Sequence, residues 1–195
     1  MDRRIARTRN LLQEALLALA REKDLDAISI ADITERATVN RSTFYQHYPD
    51  KDTLLADALD EQAAKAGAGV LDMEVKSEPQ TLALLLRYVE HLADHASLYR
   101  KTLGPHGSPL ATARLRRRIE LIATLAIEAF GRGKVSGLPP EIAAAGITGA
   151  LMGVLTAWLE LDPMPAPEVA ADWAWRAVGG PDSLSAVRFL PATGE

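Results

Sequence analysis

The chain has 195 residues, 22 Lys and Arg against 26 Asp and Glu, a formal charge of −4, 48% hydrophobic residues and no cysteine. Those proportions exclude a disordered or fibrous chain, and the missing thiols exclude a disulfide framework, thiolate metal sites and cysteine catalysis. Taken as an average, the negative charge argues against nucleic acid as a partner. The opening residues, Met1-Asp2-Arg3-Arg4-Ile5, lack the apolar stretch and cleavage site of a secretory signal, so a cytoplasmic protein is expected.

Helical periodicity recurs along the chain and strand alternation does not, which predicts an all-α fold of about nine helices. Leu12, Ala15, Leu16 and Leu19 form the stripe of a first helix, ended at Lys23-Asp24-Leu25-Asp26. A short second helix opens at Ser29, which can cap its free amides, and Asp32 three residues on completes a box-like pairing. Ile30, Ile33 and Ala37 share its inner face, and Arg36 has a helical neighbour in Asp32 with which to pair. Thr38-Val39-Asn40 then lead into a third helix, with Asn40 as its expected cap. Phe44 and Tyr48, four apart, turn inward and leave Arg41, Ser42, Thr43 and Tyr45 outward.

Two short helices joined by a tight turn, the second with a polar and aromatic face, make a helix-turn-helix. Such a helix fits the major groove, where Arg reaches guanine edges and Thr or Tyr reaches thymine methyls or phosphates. Periodicity alone is equally compatible with a solvated face. The run from Ile30 to Lys51, above all Thr43-Phe44-Tyr45-Gln46-His47-Tyr48 followed by Asp50 and Lys51, closely resembles the DNA-binding motif of the tetracycline-repressor (TetR) family. The resemblance covers about a quarter of the chain, from about Arg7 to Leu59. The family pattern often has Gly where Thr38 stands, and a left-handed backbone there costs Thr more than Gly.

The resemblance implies an N-terminal three-helix DNA-binding domain over 1–50 and a helical ligand-binding and dimerisation domain over 51–181, leaving 182–195 as a loose tail. Residues 1–51 hold nine basic and eight acidic side chains, net +1, and the rest hold 13 and 18, net −5. The provisional argument against DNA therefore falls. Arg3, Arg4 and Arg7 are expected as an arm or first turn near the DNA backbone. Lys51, at the start of the fourth helix, is expected to reach a phosphate together with that helix's free amides. The resemblance adds Thr43, Tyr45 and His47 as contacts. Ser29, Thr38, Asn40, Arg41 and Ser42 complete the candidate set.

In the body, Leu82, Leu85, Leu86 and Val89 form a helical stripe, and Ser108-Pro109 is a strong helix start. Tyr88, His91, His95, Tyr99 and Phe130 are candidates for an apolar effector pocket. His91 and His95 have a spacing able to bind metal, but no third ligand stands beside them, so no metal or other cofactor is expected. Arg114, Arg116, Arg117 and Arg118 are either a solvated face or partners of neighbouring acids or of a ligand carboxylate. From Ile142 to Leu159 run 18 uncharged residues, long enough for a membrane span. Their many Ala, Gly and Thr, and acidic Glu141 and Glu160 at the flanks, favour a buried helix instead. Ala145, Gly149, Gly153 and Ala157 recur every four residues there, permitting close backbone approach at a dimer seam with Trp158 and, on the next helix, Trp173. Close packing within one subunit is the alternative.

The expected function is a homodimeric, ligand-released repressor on a palindromic operator, its two heads about one helical turn, ~34–36 Å, apart. Its partners are double-stranded DNA, a small-molecule effector and a second copy of the chain, with no membrane. The competing reading is a TetR-like co-regulator acting through protein partners. No nucleophile elbow, phosphate loop, HExxH or paired-carboxylate pattern supports an enzyme.

Overall fold

The computed structural model describes residues 3–66, 78–104, 107–130 and 138–179. Within them the chain forms nine α-helices and no strand: α1 Arg3–Glu22, α2 Ile30–Arg36, α3 Arg41–His47, α4 Lys51–Ala66, α5 Glu78–Asp94, α6 Ala96–Leu103, α7 Pro109–Phe130, α8 Pro140–Leu159 and α9 Pro167–Gly179. A single 3-10 turn, Leu25–Ala27, joins α1 to α2. The expected tail, 182–195, lies outside the described residues, as does the side chain of Phe130 at the end of α7.

The helix starts follow local chemistry. At α2 the Ser29 amide donates to Asp32 Oδ2 at 2.7 Å and the Asp32 amide to Ser29 Oγ at 3.1 Å, the reciprocal capping box. Ser108 Oγ accepts the Ala111 amide at 3.1 Å and so caps α7. Asn40 occupies the expected cap position of α3 and its carbonyl accepts the Thr43 and Phe44 amides, although its side chain makes no capping bond. Gly107, leading into α7, lies so close to α6 that a Cβ would sit 1.9 Å from the Thr102 carbonyl oxygen.

One apolar cluster runs through the molecule. Leu12, Leu16, Ile33, Phe44 and Tyr48 hold α1 to α3, Leu54 and Leu55 carry the cluster into α4, and Val89, Leu98, Tyr99, Leu155, Trp158 and Leu159 continue it through the body. Helix α4 is therefore cemented to both ends. A smaller cluster, Ala123, Ile127, Ala143 and Ala144, joins α7 to α8.

Helix α8 is long and apolar enough to cross a membrane, yet it is not buried all round as expected. It rests on α7 and α9 through Ala143, Ala144, Thr148, Leu155, Trp158 and Leu159. Gly149, Gly153 and Ala157 are exposed on its other side, and a Cβ built on either of those glycines meets nothing within 4 Å. Trp158 belongs to the opposite face. It is 1% exposed within its own subunit, its indole donates to the Pro165 carbonyl at 2.9 Å, and its assignment to the dimer seam is corrected accordingly. Ala145 is half-buried, and Trp173 is exposed on α9.

Candidate nucleic-acid interface

The third helix is held from behind. Phe44 and Tyr48 are buried at 0% and 1% exposure against the α1 and α2 stripes, and the Tyr48 hydroxyl accepts from Arg9 Nε and Gln13 Nε2, each at 3.2 Å. Burial pushes that phenol above its ordinary range, while the two donors oppose the shift. The outward face carries Arg41, Ser42, Tyr45 and Gln46, all exposed, with Thr43 and His47 half-buried at its edges. Tyr45 is 49% exposed. The Arg41 guanidinium lies 5.8 Å from its ring centroid and donates to its hydroxyl at 3.3 Å, which aligns the two along one edge.

Thr38 sits in the turn with φ of 55°, the left-handed conformation that a β-branched residue avoids. The turn closes nonetheless, through Thr38 N to Glu35 O at 3.1 Å and Val39 N to Thr34 O at 3.0 Å. Thr38 and Asn40 are exposed between the two helices. Ser29 is exposed, but its hydroxyl is engaged with Asp32. Arg3, Arg4 and Arg7 are exposed on the first turns of α1, so they form a helical start rather than a free arm.

The assignment of Lys51 is corrected. Its ammonium donates to the Leu25 carbonyl and, at 2.9 Å, to the Ile28 carbonyl, tying the 3-10 turn to the start of α4. Nor are the α4 amides all free for a phosphate: Asp50 Oδ1 accepts the Thr53 amide at 2.7 Å, a bond that holds the Asp50 carboxyl below its usual range. Arg36 likewise pairs across to Glu22 at 2.8 and 2.6 Å rather than along its helix to Asp32, because Asp32 is taken by Ser29 and by Lys23 at 3.0 Å. Those bonds bring the Asp32 carboxyl down to about 2, the Ser29 amide contributing most.

Ion pairs link this head to the body. Asp57 of α4 pairs with Arg9 of α1 and with Arg114 of α7, and Arg114 also reaches Asp60 at 3.2 Å. On the other side, Lys101 of α6 pairs with Asp24 at 2.7 Å.

The effector candidates in the body bond to one another. His91 Nε2 meets the Tyr99 hydroxyl at 2.9 Å, His95 Nδ1 meets the His91 carbonyl at 3.0 Å, and Tyr88 accepts from Arg118 Nε at 3.4 Å. Burial brings His91 down to about 4 and pushes the Tyr99 phenol well above its ordinary range. The space that Tyr99 lines together with Thr102 and Arg118 is only about 10 Å³. Among the described residues no three His, Asp or Glu side chains are grouped to hold a metal. The large space lies elsewhere, a cleft of about 1040 Å³ between α1, α4 and α7. Arg114, Arg117 and Arg118 line it, three of the basic cluster for which the sequence leaves open a solvated face, neighbouring acids or a ligand carboxylate.

With this geometry in place, residues 12–58 match the family described as "Bacterial regulatory proteins, tetR family". The chain is 33% identical over 116 residues to an uncharacterized HTH-type transcriptional regulator of Bacillus subtilis (strain 168). The match takes in 56% of this chain but 30% of that relative's length. Its fold is similar to that of a TetR transcriptional regulator from Streptococcus agalactiae 2603V, at 20% identity and a TM-score of 0.67 over 92% of this chain and 97% of the other. It is similar, too, to the FadR repressor of Thermus thermophilus in complex with lauroyl-CoA, at 18% identity and a TM-score of 0.64 over 96% and 100% of the two chains. RolR in complex with resorcinol matches at 22% identity and a TM-score of 0.65, over 100% of both chains.

Proposed function

We propose, from the match of residues 12–58 to the tetR family of bacterial regulatory proteins, that the chain is a regulator and not an enzyme, a homodimeric cytoplasmic repressor released from a palindromic operator by a small molecule. The observation that carries this reading is the outward face of α3. Arg41, Ser42, Tyr45 and Gln46 are solvent-facing while Phe44 and Tyr48 immobilise the helix from behind, the arrangement a major-groove reader needs. Thr38, Asn40, Thr43 and His47 flank the base-reading residues, and Arg3, Arg4 and Arg7 supply phosphate charge.

A second copy is needed because one seven-residue helix reads few base pairs, and two-fold symmetry doubles the contacts on a palindrome. The open side of α8, with Gly149, Gly153 and Ala157, continues onto exposed Val169 and Trp173 of α9 and supports a four-helix seam between two subunits. In that arrangement the apolar face of α8 meets protein and no membrane is involved. A small-molecule effector is supported by two structural neighbours whose structures hold one, lauroyl-CoA in one case and resorcinol in the other. Such a molecule acts by its differential affinity for the dimer geometries that fit and do not fit the operator.

Selection of bound duplexes from a random pool is expected to return a palindrome. Failure to enrich any sequence at low salt would instead favour a co-regulator working through protein partners. In sedimentation, Gly153→Glu is expected to give a folded monomer from a native dimer, since the added side chain enters open space in one subunit and a close seam in two.

A further inference from the structure

Three helix faces converge on the cleft between head and body. Each contributes residues at i, i+3, i+4 and i+7: Ala6 to Gln13 from α1, Asp57 to Ala64 from α4, and Arg114 to Leu121 from α7. Among the described residues the charges lining it do not balance. Arg9 and Arg114 share Asp57, Arg114 also holds Asp60, and Glu61 pairs with Lys65 at 3.6 Å. Arg118 is directed by a bond to the Asp60 backbone carbonyl at 3.1 Å, not to a carboxylate. Arg117 is exposed, and no bond or ion pair to it is found among the described residues. Two guanidiniums on adjacent residues of one face, neither matched by a carboxylate, therefore overlook a space of about 1040 Å³. Beside them Ala64, Leu121 and Ile122 supply an apolar wall, with Leu121 55% exposed.

We propose that this cleft is the effector site and that it takes a small amphiphilic organic anion, its carboxylate, sulfonate or phosphate on Arg117 and Arg118 and its apolar part on the Ala64–Leu121–Ile122 wall. This rests on the repressor reading and specifies its ligand class. A guanidinium offers paired donors to a planar or tetrahedral anion, and the size of the cleft suits an organic molecule. The location supplies the regulation. Arg114 lines the same cleft, so an anion there also competes with Asp57 and Asp60 for that guanidinium, and among the described residues Asp57 is the carboxylate that pairs with both α1 and α7. Drawing Arg114 away from Asp57 leaves Arg9 as that carboxylate's remaining partner and weakens this joint between head and body, so bound anion lowers operator affinity.

The test uses the full chain and 8-anilinonaphthalene-1-sulfonate as an amphiphilic anion that reports its own binding by fluorescence. Arg117→Gln, a change at an exposed side chain, is expected to weaken dye binding about tenfold, the loss of a charge-assisted bond, with the urea midpoint unchanged. Because the chain has no cysteine, Ala64→Cys places a single thiol in the cleft, and bound dye is expected to slow its alkylation by iodoacetamide. A thiol at exposed Ser97 is expected to react at the same rate with and without dye. Dye binding that is absent, or equal in native protein and Arg117→Gln, or that leaves the thiol at position 64 unprotected, overturns the site. Dye that binds there yet leaves the affinity for the selected duplex unchanged overturns its role as effector site. Native protein that retains no duplex even without dye overturns the repressor reading instead, and the dye titration separates the two failures.

Discussion

The head and the body solve the same packing problem in opposite ways. In the head, short helices divide cleanly: Phe44 and Tyr48 are buried, and Tyr45 between them is 49% exposed. In the body, polar groups are drawn in and paired, as with His91 on Tyr99 and Arg114 on Asp57 and Asp60. The apolar surface there is left partly open, as along α8 and α9. On the proposed function, a head built this way presents chemistry to DNA, whereas a body built this way holds buried polar contacts and offers apolar area for self-association.

The sharpest test of that contrast is a pair of adjacent substitutions on α3. Phe44→Ala is expected to cost about 3–5 kcal/mol in urea unfolding, the loss of a fully buried aromatic ring. Tyr45→Ala is expected to stay within about 0.5 kcal/mol in the same measurement while weakening the selected duplex by about 1–3 kcal/mol in a binding titration. Equal stability losses at the two positions would mean that the faces of α3 are wrongly assigned.

In the body the corresponding test is pH. His91 is held neutral down to about 4 against an ordinary 6.5, with His95, Asp94, Arg118 and the Tyr99 hydroxyl around it. A depressed histidine favours the folded state above the unfolded-state value, so stability falls as pH drops from about 6.5 toward 4, by up to about 3 kcal/mol. His91→Gln is expected to flatten that slope in urea midpoints taken across the range. A slope that persists would move the effect to another group.

Smaller effects test the joint between the regions. Lys51→Ala is expected to destabilise the head by about 1–2 kcal/mol, because two carbonyls lose a charged donor. The dependence of DNA affinity on salt is expected to be unaltered, and a flattened dependence would return Lys51 to the phosphate contacts. Thr38→Gly is expected to raise stability by up to about 1 kcal/mol, relief of the strain at φ of 55° outweighing the entropy glycine loses on folding. A loss of stability would mean that Thr38 is not strained in this turn.

Much of this architecture was legible in the residues. The capping box at Ser29 and Asp32, the start at Ser108-Pro109 and the inward pair Phe44 and Tyr48 each depend on neighbours within four positions, and each stands where the sequence places it. Readings that depended on distant partners fared differently. The place of Lys51 at a helix start points toward DNA, but carbonyls 23 and 26 positions away hold it. Trp158 was grouped with the small-residue stripe of an evenly apolar helix, and only the packing of α8 decided which side faced inward.

By itself the sequence determined the helices, the caps at Ser29 and Ser108 and the outward face of α3, because hydrogen bonds to free amides and the 3.6-residue period act over one or two turns. Tertiary structure alone decided how charges are shared. Asp57 pairs with arginines 48 and 57 positions away, Arg36 reaches back 14 positions to Glu22, and Arg117 and Arg118 overlook a cleft formed only when three helices meet. The physical reason is that a side-chain charge pairs with whatever opposite charge the folded backbone brings within about 4 Å, and chain distance does not enter that attraction.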